Sequence, residues 1–141
     1  MVMPALAPAP MPQGGPKHPV SLRQAEIRKA LTGKLISYSP PGWADAGVHE
    51  EYHSNGTWRG IRYGRGPIPF SGRWSIRNDQ LCVQADKETI AVRFPSGQRC
   101  RHVWRDEATG RLWINHLTIG PSDSLGIGAQ LLNISELPSE H

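Results

Sequence analysis

Short apolar runs separated by turn residues cover the chain from Lys34 to Ile134, at a spacing of roughly ten residues. Within several runs apolar and polar residues alternate, which is the pattern of a strand with one buried face. The predicted strands are residues 35–38, 48–53, 57–63, 70–76, 80–85, 89–94, 99–105, 111–117 and 129–134. Seven to nine short strands at this spacing predict an all-β antiparallel barrel or sandwich.

The clearest turn is Asn55-Gly56, which stands between the runs 48–53 and 57–63. An Asn-Gly pair between two such runs is the strongest short-range signal of a hairpin, because a type I′ turn needs positive φ at both central residues. The sequence therefore predicts that these two runs pair directly.

One segment, residues 21–32, has the helical period instead. Ser21 and Gln24 form an S-x-x-Q capping box, and Gly33 stands where a helix usually ends. An apolar stripe between them, which includes Leu22 and Leu31, makes the predicted helix amphipathic. We expect it to cover one end of a sheet; binding to a membrane surface is the alternative.

Proline, alanine and glycine dominate residues 1–19, where nothing can build a core. This predicts a disordered or extended arm, one β domain over 20–135 and a tail over 136–141. The arm lacks the basic and apolar regions of an intact signal peptide, although Ala5-Leu6-Ala7 resembles a signal cleavage site. Three interpretations stay open: a leader that was processed or whose start lies upstream, a flexible segment, and an arm that docks along a partner.

Composition adds few constraints. A chain of 141 residues fits one domain. The formal charge of +4 permits weak attraction to phosphates or anionic lipids but does not require it. No apolar run is long enough to span a membrane, so the expected protein is soluble or at most peripheral.

The two cysteines, Cys82 and Cys100, each lie within a predicted strand. If residues 79–86 and 97–105 pair as a hairpin, the two cysteines stand opposite each other at a separation that suits a cross-strand disulfide. Such a bridge stabilises the fold by roughly 3 kcal/mol in the chain-entropy model. Two free, buried cysteines are the alternative. Zinc would need more ligands, and a redox role would favour a C-x-x-C spacing.

Several of these features stand in a fixed order: residues 31–34 (LTGK), 51–60 (EYHSNGTWRG), 71–76 (SGRWSI) with Asp79, Leu81 and Cys82, and Cys100 followed by Val103-Trp104. In this the chain resembles small, lipocalin-like exported proteins of Gram-negative bacteria, most of them domains of unknown function. The G-x-W formed by Gly72 and Trp74 also resembles the lipocalin signature, in which the tryptophan closes the floor of the barrel. The resemblance implies a small β-barrel or half-barrel, a periplasmic or secreted location and a disulfide, and it brings no catalytic residue.

Candidate chemistry is sparse. His49, Glu51 and His53 share one face of a predicted strand, and two histidines with a carboxylate are a possible metal set. Alternate strand residues lie about 6–7 Å apart, so the outer two are too far apart to share one ion without a bend. No catalytic residue, metal site or cofactor is therefore predicted.

Aromatic and arginine residues are the candidates for binding. They favour a protein interface, and on a β surface they can also stack bases and hold phosphates. The candidate binding residues are Trp58, Arg59, Arg62, Tyr63, Arg65, Trp74, Trp104 and Trp113.

The sequence therefore predicts a mainly β protein, a small lipocalin-like antiparallel barrel or strongly curved sheet with one amino-terminal helix. We expect a non-enzymatic binding module, first an accessory subunit that docks on other protein subunits of an envelope assembly. A carrier of a small apolar ligand is the first alternative, and an OB-like binder of single-stranded nucleic acid is the second.

Overall fold

The structure is a computed structural model that describes residues 16–39, 47–63, 66–86, 98–115, 117 and 129–138. Within these residues the chain forms one helix, α1 (Gln24–Leu31), and eleven strands. The strands are β1 (Pro19–Ser21), β2 (Lys34–Tyr38), β3 (Val48–Tyr52), β4 (Thr57–Arg62), β5 (Ile68–Arg77), β6 (Gln80–Ala85), β7 (Gln98–Arg101), β8 (Val103–Asp106), β9 (Leu112–Asn115), β10 (Ala129–Leu131) and β11 (Asn133–Glu136). The predicted strand 89–94 lies outside the described residues.

The strands form two antiparallel sheets. The large sheet has seven strands in the order β11-β2-β3-β4-β5-β6-β7, and the small sheet has four in the order β1-β8-β9-β10. The predicted mainly β, antiparallel fold with one short helix is confirmed. The predicted closed barrel is not seen among the described strands, whose hydrogen-bonded ladders make two sheets and do not close into one ring.

Both edges of the large sheet continue into the small one. His102 alone separates β7 from β8, and Leu132 alone separates β10 from β11. The sequence predicted one uninterrupted strand at each of these places. A single residue outside the ladder instead lets the chain bend and change sheets.

Strand alternation builds the core. In β5 every second side chain from Phe70 to Ile76 is buried or, at Gly72, absent, while the residues between them are exposed. We call the buried side of the large sheet its inner face. The helix contacts β2, β5 and β6, and its Ile27 and Leu31 are fully buried. As expected, α1 therefore packs against the sheet.

The helix is shorter than predicted because its first turn is used differently. Ser21 belongs to β1 and pairs with Trp104, so Ser21 does not cap the helix. The backbone N–H of Arg23 donates to Glu26 Oε1 (2.9 Å), and that of Gln24 donates to Asp79 Oδ1 (2.7 Å). A carboxylate from the β5–β6 turn thus satisfies a donor at the start of α1.

The turns differ from the prediction in their type. Between β3 and β4 only Gly56 has positive φ (+93°), and its N–H donates to the carbonyl of His53. The two-residue turn with positive φ at both positions is instead Asn78-Asp79, between β5 and β6. The direct pairing of β3 with β4 is confirmed.

The strands extend one residue beyond the predicted domain bounds, 20–135, at each end. Pro19 begins β1, and the N–H of His18 donates to Asp106 Oδ1 (3.0 Å), so the chain is already tied down before residue 20. At the other end Glu136 still belongs to β11 and forms an ion pair with Lys34 (2.9 Å). Residues 1–15 and 139–141 lie outside the described residues.

The strand order gives the molecule two different ends. At the helix end lie α1 and the short connections 53–56, 78–79 and 107–111. At the opposite end, which we call the distal end, β2, β4 and β6 finish at Tyr38, Arg62 and Ala85, and β3, β5 and β7 begin at Val48, Ile68 and Gln98. Neighbouring strands of the large sheet thus run in opposite directions between the two ends.

Candidate functional site

A charged side chain lies at the centre of the inner face. Glu50 follows Val48 and precedes Tyr52 on the buried side of β3, and none of its side chain is exposed. Arg101 of β7 is equally inaccessible. Together with Tyr38, Tyr52 and Trp58 they form what we call the buried ion-pair cluster.

The arginine and the carboxylate meet in a bidentate pair. Arg101 Nη1 donates to Glu50 Oε2 (3.0 Å), and Arg101 Nη2 donates to Glu50 Oε1 (2.8 Å). In a flat sheet the four strand spacings from β3 to β7 would span about 19 Å. The large sheet is therefore strongly curved, so that its inner face wraps around the pair.

Aromatic side chains complete the carboxylate's shell. The hydroxyl of Tyr38 donates to Glu50 Oε2, that of Tyr52 donates to Oε1, and Trp58 Nε1 donates to Oε1 at 3.0 Å. The two hydroxyls in turn accept hydrogen bonds from Arg101, at 3.1 Å for Tyr38 and 2.9 Å for Tyr52. The cluster thereby connects β2, β3, β4 and β7.

The cluster also reaches the small sheet. Arg101 Nη1 donates to the carbonyl of Asn115 (3.3 Å), and the N–H of Leu117 donates to the hydroxyl of Tyr38 (3.1 Å). A hydrogen-bond network that includes two sheets and an ion pair holds its members in one relative arrangement.

The protonation states in the cluster are fixed around neutral pH. Burial raises the pKa of Glu50, but the Arg101 charge and the hydrogen bonds from Arg101 and the tyrosines outweigh it and lower the pKa to about 2. Burial and the Glu50 charge raise the pKa of both tyrosines well above the ordinary value. Burial lowers the pKa of Arg101, yet Glu50 and the tyrosines raise it overall. None of these groups exchanges a proton near pH 7, which argues against acid–base catalysis by the cluster.

Two more arginines point to the inner face, nearer the distal end. Arg62 stands directly opposite Val48, which is fully buried, and Arg99 stands directly opposite buried Val83. Opposed residues of an antiparallel pair share a face. Both arginine residues are half-buried, and the Nε atom of Arg62 is inaccessible to water and has no hydrogen-bond partner among the described residues.

Arg99 lies close enough to the buried ion-pair cluster for the charges of the cluster to affect the pKa of Arg99. Burial lowers the pKa of Arg99, the charge of Arg101 lowers it further, and Tyr38 and Glu50 act in the opposite direction. The inner face therefore carries positive charge between the cluster and the distal end.

The predicted binding surface is divided between two faces. Arg59 and Tyr63 lie away from the core, with the side chain of Arg59 61% exposed and the ring of Tyr63 against that of exposed His49, whereas Trp58 and Arg62 face inward. Adjacent strand residues point to opposite sides, so these four residues cannot form one surface. Arg65 lies outside the described residues.

The remaining candidate tryptophans lie in three different environments. Trp74 is on the inner face, where its Nε1 donates to the carbonyl of His53 (2.8 Å) and its ring meets that of Tyr52 edge-on. Trp104 and Trp113 stand opposite each other in the small sheet, the first buried and the second half-buried. Few of the candidate binding residues that the structure describes are therefore exposed on the surface.

The three residues considered as a possible metal set, His49, Glu51 and His53, have different contacts. His53 Nε2 and Glu51 Oε1 lie 2.8 Å apart, while the ring of His49 meets the edge of Tyr63. Among the described residues no group of three or more histidine, cysteine and acidic side chains is arranged to hold a metal ion.

The predicted cysteine pair is present. Cys82 and Cys100 are directly opposed in β6 and β7, and their sulfur atoms are joined by a disulfide. The register that the bridge requires, with residues 80–85 next to residues 98–101, is the one observed.

Among the described residues no helix is long and apolar enough to cross a membrane. Comparisons of the chain with models of protein families, with curated proteins and with solved structures gave no match. The resemblance to lipocalin-like exported proteins therefore stays a prediction.

Proposed function

We propose that this protein is a non-enzymatic, lipocalin-like binding protein that takes up a small ligand at its distal end. The observation that carries the proposal is the change in packing along the inner face. Towards the helix end it is filled by fully buried side chains such as Leu22, Ile27 and Leu31, and at its centre by the buried ion-pair cluster.

Nearer the distal end four inward-facing side chains of β4 to β7 are only half-buried, whereas Tyr38 and Val48 of the neighbouring β2 and β3 are buried. The four are Arg62, Ile68, Ala85 and Arg99. Binding sites for small molecules typically combine apolar walls with a few polar groups that orient the ligand. This part of the inner face has that composition, and β4 and β7, which carry Arg62 and Arg99, also carry members of the buried ion-pair cluster.

An accessory subunit of an envelope assembly, the first expectation from the sequence, has less support. Interface hot spots are enriched in tryptophan and arginine, but Trp58, Trp74 and Arg62 face inward. The same placement leaves fewer exposed aromatic rings for the stacking platform that a binder of single-stranded nucleic acid would need.

We place the protein outside the reducing cytoplasm, in the bacterial periplasm or beyond, because a disulfide of this kind is rare in cytosolic proteins. A ligand carrier in such a compartment would act on diffusible or membrane-derived small molecules.

Native mass spectrometry of the full chain, purified from its own host without denaturant, tests the proposal. We expect a monomer that carries an additional small-molecule mass, which is lost when the protein is denatured. Co-purification with other chains at fixed stoichiometry and no added small mass would support the docking role instead and contradict the carrier role.

A further inference from the structure

We propose that the ligand carries an anionic head group, a carboxylate or a phosphate, which Arg62 and Arg99 hold at the distal end, together with an apolar part that contacts Ile68 and Ala85. This inference depends on the proposed carrier function and specifies the chemical class of the ligand.

The inner face is positively charged near the distal end. The single negative charge of Glu50 is matched by Arg101, with which it forms a bidentate pair. Between this pair and the distal end, the inward-facing charged side chains that the structure describes are Arg62 and Arg99, and both are cationic. An anion entering from that end meets two positive charges, while the carboxylate of Glu50 is already neutralised by Arg101.

Partial burial desolvates the guanidinium groups of Arg62 and Arg99 and so favours binding of an anion to them. A half-buried guanidinium loses part of its hydration, and an anion at hydrogen-bond distance restores the lost interaction. The Nε atom of Arg62 is buried and has no hydrogen-bond partner within the described part of the chain. Burial and the neighbouring Arg101 lower the pKa of Arg99, and a bound anion would reverse that shift.

Apolar residues lie near the two arginines on the inner face. Ile68 stands directly opposite Arg62, and Ala85 lies two residues from Val83, the partner of Arg99, on the same face. Both apolar residues are partly buried and pack against the core. A ligand with only a charged group would leave them uncovered, so the site favours an anion that also has an apolar part.

Isothermal titration calorimetry with decanoate, monodecyl phosphate and decanol tests this directly. We expect at least one of the two anions to bind at least ten times more tightly than decanol, with an affinity that falls as salt is added. The better of the two anions identifies whether a carboxylate or a phosphate is preferred.

The variants Arg62→Gln and Arg99→Gln should each weaken binding of the preferred anion about tenfold to 100-fold, the usual range for one hydrogen bond to a charged group. Arg59→Gln is the matched control, because Arg59 lies on the same strand as Arg62 but on the exposed face. It should leave the affinity unchanged. Urea unfolding and near-ultraviolet circular dichroism verify that each variant is folded.

Equal binding of decanol and the anions would overturn the inference and leave the carrier function standing. Binding of none of the three would overturn both. A loss of affinity in Arg59→Gln as large as in Arg62→Gln would show that the anion binds elsewhere. If Arg99→Gln does not fold, Arg62→Gln and the salt dependence of the wild type decide the question.

Discussion

At the scale of single residues, Glu50 and Arg101 are the most constrained side chains. The carboxylate accepts hydrogen bonds from Arg101, Tyr38, Tyr52 and Trp58, and no part of it is exposed. A buried ion pair contributes little compared with a well-packed apolar pair, but removing one partner leaves an unpaired charge in the core.

The substitution Glu50→Gln should therefore lower the free energy of unfolding by about 3–5 kcal/mol, measured by urea denaturation at pH 7. The matched control is Glu51→Gln on the half-exposed face of the same strand, which should cost at most about 1 kcal/mol. Adding Arg101→Met to Glu50→Gln should recover part of the loss, because it removes the uncompensated charge. Similar losses in Glu50→Gln and Glu51→Gln would contradict the structural role of the pair.

The same carboxylate predicts how stability depends on pH. The pKa of Glu50 is about 2 in the folded protein, compared with 4.5 for a glutamate in the unfolded chain. Because the folded-state value is the lower one, the stabilisation is fully present above pH 4.5 and is lost as the pH falls towards 2. The size of the loss is about 3 kcal/mol, from 1.36 kcal/mol per pKa unit. Urea titrations at several pH values across this window measure it, and Glu50→Gln should lack this component.

The sequence contains a signal for Glu50 that is easy to overlook. In the segment 48–52 (VHEEY) the apolar residues Val48 and Tyr52 occupy one face, so Glu50 must share it. Glu51 was predicted as a possible metal ligand with the two histidines of the other face, whereas no role was predicted for Glu50. The partner of Glu50 could not be inferred, because Arg101 lies 51 positions further along the chain and reaches Glu50 only after the sheet curves.

At the scale of strands and turns, close approach of the backbone explains the glycine of the G-x-W motif. A Cβ atom on Gly72 would lie 1.9 Å from the carbonyl oxygen of Gln84 and 2.9 Å from the Cα of Ala85. Both are backbone atoms of β6, which cannot move away as a flexible side chain would. Gly72 therefore lets β5 and β6 approach closely just before Trp74.

The substitution Gly72→Ala should lower the free energy of unfolding by about 1–3 kcal/mol, because the strands must separate to admit the methyl group. Ser71→Ala, on the exposed face of the same strand, is the control and should change stability by less than about 0.5 kcal/mol. Thermal or urea unfolding measures both. Equal stability of the two variants would contradict the close approach.

The presence of most strands was predictable from the sequence, whereas the one-residue breaks that divide two of the predicted strands were not. The segment 80–85 was predicted to the residue, and the alternation of β5 followed from its sequence. The bends at His102 and Leu132 depend on which sheet each half of the strand can pair with, and no local residue pattern marks them. The turn type expected of Asn55-Gly56, with positive φ at both residues, is instead adopted by Asn78-Asp79. Asp79 also accepts a hydrogen bond from the backbone N–H of Gln24, the first residue of α1.

At the scale of the whole molecule, the disulfide connects the edge strand β7 to the rest of the large sheet. The bridge closes a loop between residues 18 positions apart, for which the chain-entropy model gives roughly 3 kcal/mol. Arg101 follows Cys100 directly, so the bridge also fixes the strand that supplies the arginine of the ion pair.

Free-thiol counting under denaturing, non-reducing conditions should find no thiol in the protein isolated from its host. The double variant Cys82→Ala/Cys100→Ala should be less stable by roughly 2–4 kcal/mol, measured by urea unfolding. Wild-type protein assayed with a reducing agent provides the matched comparison. Two free thiols in the native protein would contradict both the bridge and the proposed extracytoplasmic location.

The pairing of β11 with β2 has a consequence for biosynthesis. Ile134 stands opposite Ile36, so the edge of the large sheet is completed by nearly the last residues described. While the chain emerges from a ribosome or crosses a membrane amino terminus first, β2 has no partner on that side. The large sheet can therefore be completed only after residue 136 is free to pair with residue 34.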